Sequence, residues 1–352
     1  MLRVQVMRKT FYSFPLLLFM LVLAPATLAQ QMCAEITGCT PQLGIGDALL
    51  AAYPEPNVAP LFIDDSILYD RTYRKVPGNL DVFDAPGGNL VTTTGPGFSY
   101  VTVWQFEGDW AKIDADQWVH SSALTEDVLI SRFAGVELPE DGLPYPMAWT
   151  LRHLRPSLTP GGEESDLNPF MYRYTRVSLY TYVEVEGKRW YQVGKDQWIH
   201  QFDVAKITPI ERPEDVDTDK WIGIDLYEQT LIAYQDETPV FSTLISSGLA
   251  DWPTNEGLFH VYLRYDRTPM SGAYQQPDFY SLQEVPWTQY FDGDIAIHGT
   301  YWHDGFGYRH SHGCVNASIM DAKWLYDWTH GEWDFEEGHG VAVYVYSTGE
   351  YD

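Results

Sequence analysis

The chain has 352 residues, roughly two to three times an ordinary domain length, so it reads as several modules. Its 22 Lys and Arg against 49 Asp and Glu give a formal charge of −27; this excludes nucleic acid, whose binding neutralises phosphates with basic side chains. A hydrophobic fraction of 45% with 15% aromatics excludes a disordered chain, and three cysteines are too few for a disulfide scaffold or a four-thiolate zinc site.

At the amino terminus, Arg3, Arg8 and Lys9 precede an apolar run from Phe14 to Ala24, and Thr27-Leu28-Ala29 offers small residues for a signal peptidase. Residues 1–29 therefore read as a secretory signal peptide. The run is shorter than the roughly 20 apolar residues of a spanning helix, so no membrane anchor is expected after its removal. Gln30, Gln31 and Met32 before Cys33 are not a lipoprotein cleavage site. In an oxidising compartment Cys33 and Cys39 could close a small loop, which leaves Cys314 as a lone thiol. Residues 30–73 form an amino-terminal segment of mixed polarity with one short helix expected around Ile45 to Ala52.

The chain then repeats itself. Trp110-Ala-Lys-Ile-Asp-Ala-Asp116-Gln117-Trp118-Val119-His120 recurs 80 positions later as Trp190-Tyr-Gln-Val-Gly-Lys-Asp196-Gln197-Trp198-Ile199-His200, and Ala85-Pro86-Gly87-Gly88 recurs as Thr159-Pro160-Gly161-Gly162. Each copy runs from a Pro-Gly-Gly turn through a β-branched and aromatic stretch (Tyr100 to Trp104; Ser178 to Val183) and a Gly-containing turn to a Trp-led strand. Short strands at this spacing argue a small antiparallel barrel. The pattern resembles bacterial SH3-like domains, which implies two such barrels at 74–128 and 145–209. Trp110, Trp118, Trp190 and Trp198 are expected in their cores. The acidic stretch 211–218 reads as a linker.

From Trp221 the strands are plain: 221–225, 230–235 and 239–246, each rich in β-branched or aromatic residues. The stretch with most chemistry follows, Asp294 to Asn316, with Asp294-Ile295-Ala296-Ile297-His298-Gly299-Thr300 at its start and His310-Ser311-His312-Gly313-Cys314-Val315-Asn316 at its end; it holds four of the ten histidines (298, 303, 310 and 312) and the lone thiol. A thiol with a pKa near 8.5 is only a few per cent thiolate at neutral pH and needs a base beside it, which an imidazole supplies. Gly313 permits close backbone approach, and the amides of Gly313 and Cys314 could stabilise an oxyanion. Three other readings compete. His310, His312 and Cys314 alternate and, with His298 or His303, could bind zinc, although Gly313 favours a turn over the straight strand this needs. Cys314 could be a buried structural residue. A papain-like site would place Cys before its His, the reverse of the order here.

Ile297-His298-Gly299-Thr300 with Ser311-His312-Gly313-Cys314-Val315-Asn316 resembles the signature of the L,D-transpeptidase (YkuD-type) catalytic domain over 220–347. Met270-Ser271-Gly272, Val285-Pro286-Trp287 and Asp321-Ala322 are also family-like. The resemblance implies a mainly β chain: two small SH3-like barrels, then a β-sandwich-like catalytic domain with few short helices and a mobile hairpin over its cleft. It implies Cys314 as nucleophile and His298 as the group that takes and returns its proton. Gly299 would orient His298, His312 and Gly313 would line the oxyanion side, and Ser311 and Asn316 would support the loop. It implies no metal and no organic cofactor, peptidoglycan stem tetrapeptides as donor and acceptor, and a location in the periplasm or extracellular cell wall. An inactive wall-binding scaffold is the alternative. Asn316 stands where many members have Arg, Thr254-Asn255-Glu256-Gly257 replaces a Thr-Pro-x-Gly turn, and His303 and His310 are left without a role, expected at the cleft rim.

Overall fold

The computed structural model describes residues 46–52, 55–125, 128–274, 276–333 and 338–350. The expected leader and the Cys33 and Cys39 pair lie outside them. The chain is mainly β, with short α-helices at Asp47–Ala52, Asp65–Leu68 and Ile319–Trp328. Among the described residues no helix is long and apolar enough to cross a membrane.

The carboxy-terminal part is built on two sheets. One runs in the order Ala59–Pro60, Val136–Glu137, Thr238–Leu244, Thr230–Gln235, Lys220–Asp225, Ala342–Tyr346, Gly257–His260. Its central strands are buried along nearly their whole length, which is why they read as continuous apolar runs instead of alternating ones. The second sheet runs Thr72–Val76, Phe98–Val103, Tyr280–Asp292, Ile295–Gly299, Val315–Ala317, with Leu263–Gly272 paired to Tyr280–Asp292 as a long hairpin. Ile222, Ile224 and Phe241 of the first sheet share one apolar cluster with Phe291, Ile297 and Val315 of the second. The two sheets thus bury their facing sides against each other.

The repeat has a structural counterpart. Trp110–Asp114 pairs with Gln117–His120 so that Trp110 faces His120 and Lys112 faces Trp118, with an irregularity before Asp114. Lys188–Gly194 pairs with Gln197–His200 in the same way, Trp190 facing His200 and Gln192 facing Trp198, with its irregularity before Gly194. Gly87 and Gly161 both take positive φ in the equivalent turns, a conformation a side chain resists. Trp118 and Trp198 are buried as expected. Trp110 and Trp190 are instead half-buried and pack on His120 and His200. The acidic stretch 211–218 is folded onto the sheet: Val216 is buried, and the Arg212 guanidinium donates to the Val216 and Thr218 carbonyls.

Ile319–Trp328 is N-capped by Ser318, whose hydroxyl accepts from the Asp321 amide at 3.1 Å. Asp321 is fully buried, and its carboxylate accepts from the Gly135 amide at 2.7 Å and the Thr243 hydroxyl at 2.6 Å. Burial pushes its carboxyl up to about 6, against the pull of those donors. A raised acid pKa means that the folded state holds the proton more tightly than the unfolded chain. The associated stability is complete below the unfolded value of 3.8 and is lost as pH rises through 6. Asp321→Asn keeps an acceptor for Gly135 and should remove this pH dependence, worth roughly 2–3 kcal/mol. Thermal melts of both proteins from pH 4 to 8 check it; parallel curves would contradict it.

Candidate active site

Ile295–Gly299 runs parallel to Val315–Ala317, with Ile297 opposite Val315, His298 opposite Asn316 and Gly299 opposite Ala317. Ile295, Ala296 and Ile297 anchor the first strand in the core, which fixes the position of His298 at its end. Gly299 follows because a Cβ there would lie 2.9 Å from the Pro286 side chain and 3.2 Å from its carbonyl. His298 is 2% exposed, and its Nδ1 lies 3.2 Å from the Gly299 carbonyl oxygen. Burial lowers its pKa to about 4.

Cys314 reaches the same cavity from the loop before Val315. Gly313 turns the chain at φ +113°, where a side chain would be strained. That turn takes His310, His312 and Cys314 out of a single strand, and the zinc reading loses the geometry it needs. Among the described residues, the three-member cluster of metal-ligand types lies elsewhere, at Asp217, His260 and His339, where His260 Nε2 is hydrogen-bonded to Asp217 at 2.7 Å. The loop is held from several sides. The Ser311 hydroxyl donates to the Cys314 carbonyl and accepts from the Gly313 amide at 3.1 Å. The buried Thr254 hydroxyl donates to the Gly313 carbonyl at 2.7 Å and accepts from the Gly248 amide at 3.0 Å.

The half-buried Cys314 thiol donates to the Asp294 carbonyl at 3.7 Å. Burial pushes its pKa up to about 11; the Ala296 amide works against this and the Asp294 carboxylate adds to it. Without substrate the site therefore holds a neutral thiol and a neutral imidazole, not a thiolate–imidazolium pair. With its Nδ1 proton directed at Gly299, His298 keeps Nε2 as a lone-pair base.

The cavity of about 390 Å³ has a polar side, made by His298, His310, Ser311, His312, Cys314 and Asn316. The lining also includes the apolar residues Phe98, Met270, Phe279, Tyr280, Leu282 and Trp302. His312 packs on Tyr280, ring centroids 5.0 Å apart, and its Nε2 is 3.8 Å from the Asp278 carboxylate across the cleft. His310 is at the exposed rim as expected. His303 is not: it lies behind His310, stacked on it at 3.9 Å, and outside the cavity lining.

The sequence reading missed Gly97 and Phe98, which come from the first repeat and line the same cavity. Phe98–Val103 pairs in parallel with the hairpin strand, Phe98 opposite Tyr280 and Tyr100 opposite Leu282. The Phe98 amide donates to the Phe279 carbonyl at 3.0 Å, and a Cβ on Gly97 would come within 2.6 Å of that same oxygen. The first repeat thus holds the hairpin and adds an aromatic wall to the cleft. The one sequence sign of it is an aromatic placed directly after the Gly95-Pro96-Gly97 turn.

Residues 219–345 match the family model described as the L,D-transpeptidase catalytic domain, YkuD. The Bacillus subtilis (strain 168) protein YciB, whose name assigns it to the L,D-transpeptidases, is 28% identical over 120 residues, 30% of this chain and 59% of its own length. The present chain thus spans under two thirds of that relative. Among solved structures, the Enterococcus faecium L,D-transpeptidase catalytic domain is 25% identical, with 38% of this chain and 100% of that one covered at a TM-score of 0.32. An L,D-transpeptidase from Xylanimonas cellulosilytica is 27% identical, with 38% and 64% covered at a TM-score of 0.28.

Proposed function

We propose, from the premise that residues 219–345 are an L,D-transpeptidase catalytic domain of the YkuD family, that this protein is an exported acyltransferase of peptidoglycan stem peptides. The observation that carries the reading is that Cys314 and His298 line one cavity. Cys314 Sγ attacks the carbonyl of the third residue of a stem tetrapeptide while His298 Nε2 takes the thiol proton. The Gly313 amide is engaged by Ser311, so the Cys314 amide is the donor left for the developing oxyanion. Collapse of the tetrahedral intermediate forms a Cys314 thioester and breaks the bond to the terminal D-Ala, whose amine leaves with the proton from His298. An amine of a second stem then displaces sulfur, and His298 again mediates the proton. Asp278 and Asp294 line the cavity without a Lys or Arg among the described lining residues, which favours the approach of a cationic acceptor.

The chain's acidity argues against nucleic acid as a partner and favours recognition through the peptide stems. The two repeats, read as SH3-like modules, would hold the enzyme on the wall or fix its distance from it, and the location is the periplasm or extracellular cell wall. Incubation with purified tetrapeptide stems, read by mass spectrometry, tests the activity. Loss of D-Ala with a cross-linked, hydrolysed or amine-exchanged product supports it; unchanged stems would leave a wall-binding scaffold as the better reading. For the cleft wall, Phe98→Ala should raise the KM for tetrapeptide about fivefold to tenfold, the effect of withdrawing one aromatic contact, and lower the melting temperature by only a few degrees, since Phe98 is 37% exposed. Equal KM values would exclude Phe98 from the substrate site.

A further inference from the structure

Asp217, His260 and His339 have no part in the reaction above, and none of them lines the cleft. They come from three separate segments: the acidic stretch 211–218, the end of Gly257–His260, which is the last strand of the first sheet, and the loop that precedes Ala342–Tyr346. One ligand-type atom of each, a carboxylate oxygen and two imidazole nitrogens, lies within 4.8 Å of the others. His260 Nε2 is 2.7 Å from Asp217 Oδ1, and the centroids of the two imidazole rings are 4.0 Å apart, with the rings tilted by 37°. His339 Nδ1 donates to the Gly340 carbonyl at 3.1 Å, which in the neutral ring puts the lone pair on Nε2. A metal-ligating histidine is oriented in the same manner, by its second ring nitrogen on a backbone carbonyl.

The main chain brings the three together without help from a metal. The Val261 amide donates to the Val341 carbonyl at 3.0 Å and the Gly340 amide to the Val261 carbonyl at 2.6 Å, which sets His260 and His339 side by side. Asp217 stands between Val216, which is buried, and Thr218, and the Arg212 guanidinium donates to both of their carbonyls at 3.1 Å. The Thr218 hydroxyl accepts from the Ala342 amide at 3.0 Å, and Ala342 is the partner of His260 in the sheet. Zinc bonds of about 2.0–2.1 Å hold ligand atoms roughly 3.3 Å apart, so the widest separation has to close by roughly 1.5 Å at most. The Asp217 side chain is 55% exposed and has room for that movement. Two imidazoles and one carboxylate suit zinc, whereas Mg²⁺ and Ca²⁺ take sets of oxygen ligands.

We propose that Asp217, His260 and His339 form a zinc site outside the catalytic cleft, which staples the stretch 211–218 to the edge of the first sheet. The metal takes the place of the proton that Asp217 and His260 share without it, and water completes its coordination. The site fastens the segment that leads in from the second repeat to the catalytic domain, and it does not rest on the acyl-transfer reading. Full-chain protein stripped with a chelator and titrated with zinc chloride in a calorimeter should bind one equivalent with a Kd of about 1 μM or below. Zinc should also raise the melting temperature by several degrees, as a ligand of the folded state does, and magnesium chloride should do neither. His260→Ala and His339→Ala should each weaken zinc binding about 100-fold or more, the scale of a lost ligand. Both rings are partly exposed, so the metal-free variants should melt within a few degrees of wild type. Asp217→Asn, at an exposed side chain, should weaken binding about tenfold and decides the matter if a histidine variant fails to fold. Cys314→Ala should bind zinc as the wild type does. Weaker binding by the wild type, zinc retained in full by the variants that fold, or zinc lost with Cys314 would overturn the proposal.

Discussion

A carbapenem added to the Cys314→Ala protein is expected to leave its mass unchanged, whereas the wild-type chain gains a single covalent adduct. A carbapenem carbonyl meets the same thiol as a peptide carbonyl, so this reads the nucleophile without a purified substrate. Tetrapeptide turnover should fall by roughly 10⁴-fold or more, because removing a nucleophile removes the covalent route altogether. No neighbour can take over. The Ser311 hydroxyl donates to the Cys314 carbonyl and accepts the Gly313 amide, which commits its proton and lone pair to the loop. An adduct on the alanine variant would place the nucleophile elsewhere.

The second large effect concerns His298 and the resting protonation of the pair. His298→Ala should slow acylation by tetrapeptide about 10²- to 10⁴-fold, the range of a lost general base. Alkylation of Cys314 by iodoacetamide at pH 7 should barely change in that variant, because the resting thiol is bonded to the Asp294 carbonyl and is not ionised by the imidazole. The pH dependence follows from the two shifts. A base with its pKa lowered to about 4 is free above that value, so acylation should persist through pH 5 and fail only toward pH 4. A thiol raised to about 11 should react with iodoacetamide ever faster up to that region, with no plateau near neutrality. A plateau from pH 6 upward, lost in His298→Ala, would mean a pre-formed thiolate–imidazolium pair.

The candidate site was legible because its parts are local in sequence. His298 and Cys314 sit at the ends of two short strands joined by one loop, so the spacing of the motif nearly states their geometry. Gly313 carried its own evidence, since a glycine among alternating ligand-type residues argues a turn, and that turn separates the thiol site from a zinc site. The strands after Trp221 were readable for a similar reason: Lys220–Asp225 and Thr230–Gln235 are central, buried and β-branched.

What escaped the sequence is long-range. Phe98 meets Tyr280 across 182 positions by main-chain pairing, whose one sequence sign is the aromatic directly after the Gly95-Pro96-Gly97 turn. Thr254 opens the turn in which Asn255 stands in place of the pattern's Pro, but its grip on the Gly313 carbonyl is visible only once the loops meet. Tryptophans in a repeat were read as core, yet only the second of each pair is buried; the first is half-buried and packs against the histidine opposite it on the paired strand. His303 was expected at the rim because nothing in a one-dimensional pattern separates it from His310, its stacking partner.

The most direct test of the central claim is rapid quenching of wild-type protein with tetrapeptide stems, followed by intact mass and peptide mapping. The account predicts a transient acyl group, the stem less its terminal D-Ala, attached to the peptide that contains Cys314 and discharged when an amine is added. No acyl-enzyme under turnover, or an acyl group mapped to any other residue, would contradict it.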